Sequence, residues 1–240
     1  MKAAVLHEVN QPLQIEEVDI ASPGPREVLV RTRASGVCHS DLHFVEGLYT
    51  TTMPVLLGHE AAGTVESVGS QVDYVSPGDR VICCLSVFCG QCERCTTGRP
   101  VLCSRTGLVR GPDETPRLSQ DGKPVTQFAN LGAYAEMMLV HENSLVKIEQ
   151  NIGFEQMALI GCGATTGLRT ELHLGLLFSQ QKEIYGVYMG TKEDMREIVE
   201  LMNRGAIKPV VDRTFPLAEV AAAHKYMGET SFFGKLILTQ

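Results

Sequence analysis

Four cysteines lie in one short stretch, "CGQCERCTTGRPVLC", where Cys89, Cys92, Cys95 and Cys103 follow a C-x2-C-x2-C-x7-C spacing. Two-residue gaps let successive thiolates turn toward one centre, and a fourth sulfur can complete the tetrahedron that zinc prefers. An iron–sulfur cluster also accepts four thiolates, but its common spacings differ from this one. We therefore predict a structural zinc site, because four sulfurs leave no open position for a substrate.

Three other segments carry groups that could bind a second metal: "GVCHSDLH" at 36–43, "GHEAAGTVESVG" at 58–69 and "GCG" at 161–163. Cys38, His59 and Cys162 would supply two thiolates and one imidazole. Spacing alone does not establish such a site, since a single cysteine is more often part of a core and a single histidine is more often a satisfied or exposed side chain. We expect the remaining pair, Cys83 and Cys84, to be buried as small apolar residues.

The composition is that of an ordinary globular protein, with 240 residues, 44% of them hydrophobic, and a formal charge of −7. An acidic chain without runs of Lys or Arg argues against sequence-independent binding to nucleic acid or anionic lipid. The N-terminal stretch lacks the basic start and apolar run of a signal peptide, and no segment is apolar for long enough to cross a membrane. We expect a cytoplasmic protein, in which eight cysteines indicate metal binding or catalysis before disulfides.

The elements that must position these groups are mainly strands. Short β-rich runs broken by Gly, Pro, Asn and Asp continue to about residue 150, which predicts a mostly antiparallel β domain, and "GPDETPRLSQDGKPVTQ" (111–127) is typical of a long surface loop. Helical spacing follows in "FEQMALIGCGATTGL", from Thr191 to Arg204, and from Pro216 to about Met227, before a closing strand "KLILT". The expected fold class is mostly β with flanking helices (α+β).

The three segments, together with the four-cysteine lobe, resemble the zinc-dependent alcohol dehydrogenases of the medium-chain dehydrogenase/reductase superfamily. The resemblance covers residues 1 to about 168 almost without a break and resumes from about 172 to the end. It implies a GroES-like, partly open β-barrel with a zinc-binding lobe, holding one catalytic and one structural zinc ion. The reaction it implies converts an alcohol to an aldehyde or ketone with NAD or NADP.

The resemblance also implies roles for individual residues. Those matching Cys38, His59 and Cys162 bind the catalytic zinc, and Glu60 matches a glutamate that can approach the metal as an alternative ligand. Further matches are a carboxylate that orients the imidazole (Asp41), a proton relay with a surface outlet (Ser40 and His43), and two contacts to the cofactor (His39 and Thr166).

The cofactor domain of that family is missing from the sequence. A dinucleotide-binding domain begins with a strand followed by G-x-G-x-x-G, whereas "GCGATTG" reads G-x-G-x-x-x-G and carries Cys162. Only 16 residues separate Gly167 from the strand-like run that begins at Ile184, and one βαβ unit takes roughly 30 residues. We therefore expect nicotinamide-dependent activity to be weak or absent.

The chain should accordingly have three parts. Residues 1–168 form the first part of the GroES-like domain, with the zinc lobe at 89–103; residues 169–205 are a junction and remnant of the cofactor domain; residues 206–240 complete the catalytic domain. The junction would expose apolar side chains, so we expect it to repack onto the β domain or to form a homodimer through Leu172, Leu174, Leu176, Leu177, Phe178, Ile184, Val187 and Met189.

Three hypotheses about function follow from the sequence. The first is the catalytic domain of an alcohol dehydrogenase without its cofactor domain, able to bind a small alcohol or carbonyl compound. The second is a zinc hydrolase or lyase that uses metal-bound hydroxide. The third is a non-catalytic β module stabilised by metal.

Overall fold

A computed structural model describes residues 1–104, 108–111, 113–148, 152–164, 191–230 and 232–240. The described residues form mostly strands: β1 Lys2–Leu6, β2 Gln14–Glu17, β3 Asp19–Ile20, β4 Glu27–Val37, β5 Val55–Leu56, β6 Glu60–Val68, β7 Arg80–Cys83, β8 Leu118–Gln120, β9 Lys123–Pro124, β10 Thr126–Gln127, β11 Met137–His141, β12 Leu145–Lys147, β13 Val211–Pro216 and β14 Lys235–Thr239. The helices among them are α1 His39–Val45, α2 Glu93–Thr96, α3 Phe154–Leu159, α4 Lys192–Asn203 and α5 Val220–Glu229. The predicted fold class is confirmed.

The largest sheet has seven strands, ordered β12-β7-β6-β4-β14-β13, with β11 paired to one end of β4. Its pairs are antiparallel except β13 with β14. Along β4 the first half alternates between buried and exposed residues, as in Val30, Arg31 and Thr32. From Ala34 to Val37 every residue is buried, so this half of the strand is covered on both faces. A sheet of four strands, β10-β5-β1-β2, and one of three, β3-β8-β9, complete the domain.

Helices cover the large sheet where its strands are buried on both faces. Met157 of α3 is fully buried, and Met195 and Val199 of α4 join the same hydrophobic cluster. On the other side, α5 buries Ala223 and Met227 against residues of β1 and β14. The helix predicted from Thr191 is confirmed, because Thr191 caps α4 and exchanges hydrogen bonds with Asp194 in a capping box.

One predicted helix boundary and one predicted loop were wrong. Pro216 ends β13 and precedes a 3-10 turn, Leu217–Glu219, so α5 begins only at Val220. The expected surface loop at 111–127 contains strands β8 to β10. The segment is fixed against the rest of the domain by two contacts. Arg117, which is only 7% exposed, donates a hydrogen bond to the buried Glu27, and the neighbouring Leu118 pairs with β3. The apolar junction residues from Leu172 to Met189 lie outside the described residues.

Candidate metal centres

The four predicted lobe cysteines are brought together in a small lobe that contains α2. Their sulfurs all lie within 4.8 Å of one another. Cys92 Sγ is 3.5 Å from Cys95 Sγ and 3.9 Å from Cys103 Sγ, and Cys89 Sγ is 4.0 Å from Cys95 Sγ. A zinc–sulfur bond of about 2.3 Å makes the edge of a sulfur tetrahedron about 3.8 Å long. The donor set and its spacing therefore fit one tetrahedral zinc ion.

Backbone N–H groups point at these sulfurs. The N–H of Cys92 donates to Cys89 Sγ and the N–H of Cys89 donates to Cys103 Sγ, both at 3.3 Å. The backbone N–H groups of Ser104 and Cys95 lower the pKa of the Cys92 thiol to about 5. The lobe thus stabilises negative charge on sulfur through its own backbone, as a thiolate site requires.

The second group, Cys38, His59, Glu60 and Cys162, comes from three distant segments. Their ligand atoms also lie within 4.8 Å of one another. Cys38 follows β4 as the residue before α1, while Glu60 begins β6 opposite Gly36 of β4. Within the described ranges and apart from the sulfur lobe, no other cluster of metal-binding side chains is present.

Cys162 reaches this group from a widened helical turn, Ile160–Ala164, that follows α3. The neighbouring Gly161 approaches β7 so closely that a Cβ would stand 2.7 Å from the carbonyl oxygen of Cys83. A side chain at Gly161 would push this turn, and Cys162 with it, away from His59. As expected, Cys83 and Cys84 are buried, with 0% and 2% exposure.

Asp41 is the most heavily hydrogen-bonded side chain at the site and is completely buried. Its carboxylate accepts from His59 Nδ1 at 3.2 Å and from the backbone N–H groups of Gly58 at 3.1 Å and Cys38 at 3.3 Å. The hydroxyl of Tyr134 donates a fourth bond at 3.0 Å. The expected contact between Asp41 and the imidazole is therefore present, and His59 Nε2 is the ring nitrogen left for a metal.

The charges around His59 favour a protonated ring in the metal-free protein. Burial alone would lower the pKa of His59, but the adjacent Asp41 carboxylate outweighs burial and holds that pKa well above its ordinary value. Cys38 and Cys162 share a proton: their hydrogen bond lowers the pKa of Cys38 and raises that of Cys162. Metal binding here would release protons, since thiolates and a neutral imidazole are the binding forms.

Glu60 is completely buried with one oxygen paired and one unpaired. Its Oε1 accepts from Lys235 Nζ at 2.7 Å, whereas its Oε2 has no hydrogen-bond partner among the described residues. Burial raises the pKa of Glu60, and Lys235 opposes that rise. The carboxylate lies so close to Gly36 that a Cβ at this position would collide with Oε2. An unpaired buried carboxylate oxygen beside two sulfurs and an imidazole fits a nearby cation.

The residues assigned to proton transfer and cofactor contact are only partly brought together. Ser40 Oγ lies 3.7 Å from Cys38 Sγ. His43 is half-buried and packs edge-on against Tyr49, with ring centroids 5.4 Å apart. In the part of the chain that the structure describes, no hydrogen bond joins Ser40 to His43. His39 is exposed beside them, and Thr166 lies outside the described residues.

Sequence reasoning missed three residues of this site. Lys235 pairs with Glu60, Tyr134 bonds Asp41, and Phe128 lies edge-on to the His59 ring with centroids 5.5 Å apart. A buried glutamate needs a cation, so the lysine at the start of the otherwise apolar "KLILT" was an available signal. The local sequence around Tyr134 and Phe128 gives no sign of a role at the site, because Tyr134 lies in a strand-like run and Phe128 in a loop-like one.

None of the helices in the described part of the chain has the length and apolar character needed to cross a membrane.

Much of the chain is similar in sequence to proteins of a known family. The family model of the alcohol dehydrogenase GroES-like domain matches residues 24–150. A Mycobacterium tuberculosis protein provisionally named alcohol dehydrogenase D is 39% identical over 189 residues, which cover 77% of this chain and 51% of that protein. The chain therefore spans about half the length of the curated relatives it matches.

Solved structures show the same fold at lower identity. A zinc-binding domain protein of the alcohol dehydrogenase type from Burkholderia ambifaria has a TM-score of 0.83 at 21% identity, over 99% of this chain and 98% of that one. A cobalt- and zinc-bound thermostable alcohol dehydrogenase from Pyrobaculum aerophilum has a TM-score of 0.78 at 21% identity, over 100% of this chain and 99% of that one. The predicted GroES-like fold is confirmed.

Proposed function

We propose that this chain, which belongs to the alcohol dehydrogenase GroES-like domain family, is the zinc-binding catalytic domain of an oxidoreductase. The proposed substrates of that enzyme are alcohols and, in the reverse direction, aldehydes or ketones. The observation that carries this proposal is the convergence of Cys38, His59, Glu60 and Cys162 within 4.8 Å, although 124 positions separate the first from the last. Burying two thiols, an imidazole and a carboxylate together in a protein core without a ligand costs free energy, because each group loses its hydration.

Cys38, His59 and Cys162 would hold the catalytic zinc, with Glu60 available as an alternative ligand. Zinc bound there supplies Lewis acidity, which lowers the pKa of an alcohol hydroxyl and polarises a carbonyl in the reverse direction. Cys89, Cys92, Cys95 and Cys103 would hold a second, structural zinc. The zinc-binding domain protein from Burkholderia ambifaria and the cobalt- and zinc-bound alcohol dehydrogenase from Pyrobaculum aerophilum, which share this fold, support this choice of metal.

The protein's own groups prepare the site for that chemistry. Asp41 fixes His59 through Nδ1 and so keeps the other ring nitrogen directed at the thiols. Ser40, whose Oγ lies 3.7 Å from Cys38 Sγ, would relay the proton that leaves an alcohol hydroxyl by accepting it and passing on its own hydroxyl proton. In this proposal His43 passes that proton to solvent, which requires a water or a change of rotamer between the two side chains.

The nicotinamide cofactor belongs to the proposed parent enzyme. His39 and Thr166 would be its contacts from the catalytic side, and two contacts cannot hold a dinucleotide. We propose that residues 169–205 stand where the cofactor domain was lost, so hydride transfer by this chain is weak or absent. Without a positioned acceptor, the reaction loses a proximity contribution on the order of 7 to 11 kcal/mol.

Metal analysis tests the proposal directly. Native mass spectrometry of protein purified without added zinc should give two zinc ions per chain, and Cys38→Ser and Cys103→Ser should each lose one. Calorimetric titration with NADH should then give no heat of binding. One zinc in the unchanged protein, or the loss of zinc only in Cys103→Ser, would overturn the assignment of a catalytic metal site.

A further inference from the structure

The turn that follows β10 has a strained backbone. Ala129 (φ 53°) and Asn130 (φ 59°) are both left-handed, and Gly132 (φ 59°) follows them. This conformation is disfavoured for alanine, because its Cβ crowds the backbone and its side chain offers no hydrogen bond in return. The N–H groups of Leu131 and Gly132 close the turn by donating to the carbonyl oxygen of Phe128 at 2.9 and 3.0 Å. Such strain persists only where neighbouring groups hold it, and it clusters at functional sites.

The side chain of Gln127 holds this turn in place. Its Nε2 donates to the carbonyl oxygen of Leu131, in the turn, at 3.0 Å and to that of Leu139, in β11, at 2.9 Å. Its Oε1 accepts from the guanidinium of Arg117 at 3.3 Å. Gly132 leaves room for this arrangement, because a Cβ there would stand 3.2 Å from Gln127 Cγ. One half-buried glutamine thus ties the turn to β11 and uses both of its amide donors to do so.

The turn brings Phe128 against the second metal centre. The Phe128 ring lies edge-on to His59, with centroids 5.5 Å apart and an interplanar angle of 82°. It also contacts Phe44 of α1 at a centroid distance of 4.7 Å. The end of the turn is joined to the segment before His59, because the N–H of Ala133 donates to the carbonyl oxygen of Gly58 at 3.0 Å. A movement of the turn would therefore change the surroundings of the imidazole.

The orientation of the His59 ring depends on more than one contact. Hydrogen bonds tolerate a broad range of angles, so the 3.2 Å bond between Asp41 and His59 Nδ1 leaves the ring plane some freedom to rotate. A perpendicular aromatic neighbour restricts that rotation, since edge-to-face pairs have a preferred geometry. Phe128 thus complements Asp41, because one contact holds a ring nitrogen and the other holds the plane of the ring.

We propose that Gln127 is a positioning residue of the second metal centre. It holds the strained turn, the turn holds Phe128, and Phe128 keeps the His59 ring in the orientation that metal binding requires. This inference rests on the proposed function, because it takes His59 as a ligand of the catalytic metal. Groups that orient a metal-bound histidine typically contribute about 10- to 100-fold to metal affinity.

Chelator competition on the zinc-loaded protein tests this role. Gln127→Met keeps the length of the side chain and removes its hydrogen bonds, so zinc at the second centre should bind about tenfold more weakly. Zinc in the sulfur lobe should keep its affinity. Gln120→Met is the matched control, because Gln120 is also half-buried and its Nε2 also donates two hydrogen bonds, to Glu16 Oε2 and to the carbonyl oxygen of Glu17. This control should leave both zinc affinities unchanged.

Two further substitutions show whether Gln127 acts through the turn and Phe128. Phe128→Leu should weaken zinc binding at least as much as Gln127→Met, and the double variant should bind zinc no more weakly than Phe128→Leu alone. Ala129→Gly removes the Cβ that disfavours the left-handed conformation, so adding it to Gln127→Met should restore part of the zinc affinity. Losses that add in the double variant of Gln127 and Phe128 would overturn the proposal.

Ring-proton NMR of the protein as purified separates this inference from the proposed function. The His59 signals, identified by their absence in His59→Gln, feel the ring current of Phe128. They should shift in Gln127→Met and in Phe128→Leu and stay fixed in Gln120→Met. A purely structural role for Gln127 would lower the urea midpoint without moving the His59 signals, and that result would overturn the inference. A second centre without zinc in the unchanged protein would instead overturn the proposed function.

Discussion

The two candidate metal centres differ in how they are built. The sulfur lobe takes all its ligands from residues 89–103, and its thiols are half-buried and bonded by nearby backbone N–H groups. The second centre takes its ligands from the residue after β4, from the start of β6 and the residue before it, and from the turn after α3, and buried side chains such as Asp41 surround it. One centre is local and mostly backbone-supported; the other depends on the packed core.

This difference predicts how each centre responds to substitution of its residues and to loss of its metal. A local loop loses its metal without affecting the sheets, because few core contacts depend on it. The second centre shares its groups with the core, so the same side chains determine metal binding and folding stability. The following changes test that contrast, from the largest expected effect to the smallest.

Asp41→Leu should have the largest effect. It removes the acceptor for four donors, including the imidazole of His59, and leaves a buried cation without its partner. We expect the free energy of unfolding, measured by urea denaturation, to fall by about 3–5 kcal/mol. The zinc of the sulfur lobe should be retained. Asp73→Leu, at an exposed position, is the control and should change stability by less than about 0.5 kcal/mol. An equal loss of lobe zinc would break the contrast between the centres.

Lys235→Met should have the next largest effect, because the buried Glu60 then loses the ammonium group that pairs with its Oε1. We expect a loss of about 1–3 kcal/mol at pH 7, less than for Asp41 because the lysine is partly exposed. Burial already raises the pKa of Glu60, and the substitution raises it further.

The sign of the pH dependence follows from that raised pKa. A carboxyl whose folded-state pKa is raised stabilises the fold at low pH, and this stabilisation is lost as pH rises through the folded pKa. Urea denaturation should therefore show the variant approaching the unchanged protein as pH falls toward about 3, well below the ordinary glutamate pKa of about 4.3, where the carboxyl is protonated in both states. Lys235→Arg keeps the ion pair and is the control. A stability gap that is constant with pH would mean that Glu60 is not the group responsible.

Cys92→Ser should disrupt the lobe alone. The rate of protease cleavage between residues 86 and 104 should rise at least tenfold, because the loop loses the metal that holds it together. The urea midpoint of the β domain should change by less than the equivalent of about 1 kcal/mol. Glu93→Gln, in the same short helix, should alter neither measurement. Cooperative unfolding of the whole domain in Cys92→Ser would show that the lobe is part of the core.

The smallest effect is a difference in reaction rate with pH, measured on metal-free protein with iodoacetamide. Backbone N–H groups lower the pKa of Cys92 to about 5, so its alkylation rate should already be flat between pH 7 and pH 9. Burial raises the pKa of Cys83 to about 12, so Cys83 should stay unreactive over the same range. A peptide thiol with a pKa of about 8.5 provides the reference slope. A Cys92 rate that rises with that reference would show that the lobe does not stabilise its thiolate.

The local features of the fold could be predicted from the sequence because they depend on neighbouring residues. The strand-like runs became β1, β4, β6, β7 and β11, and the capped pattern after Thr191 became α4. The segment at 111–127 was wrongly expected to be a surface loop. Its Pro, Gly and charges are real turn signals, but the ion pair between Arg117 and Glu27 joins positions 90 residues apart and has no local signature.

The sequence by itself determined that four closely spaced cysteines form one sulfur cluster and that a β-rich chain surrounds it, because spacing and alternation act over a few residues. Cys38, His59 and Cys162 were candidates on residue type alone, and only a family resemblance assigned them to one metal ion. Tertiary structure decided that Asp41 lies under His59, that Lys235 pairs with Glu60, and that Phe128 lies against the His59 ring. Such contacts arise from strand pairing and helix packing between distant segments, and burial, not spacing, sets their energies.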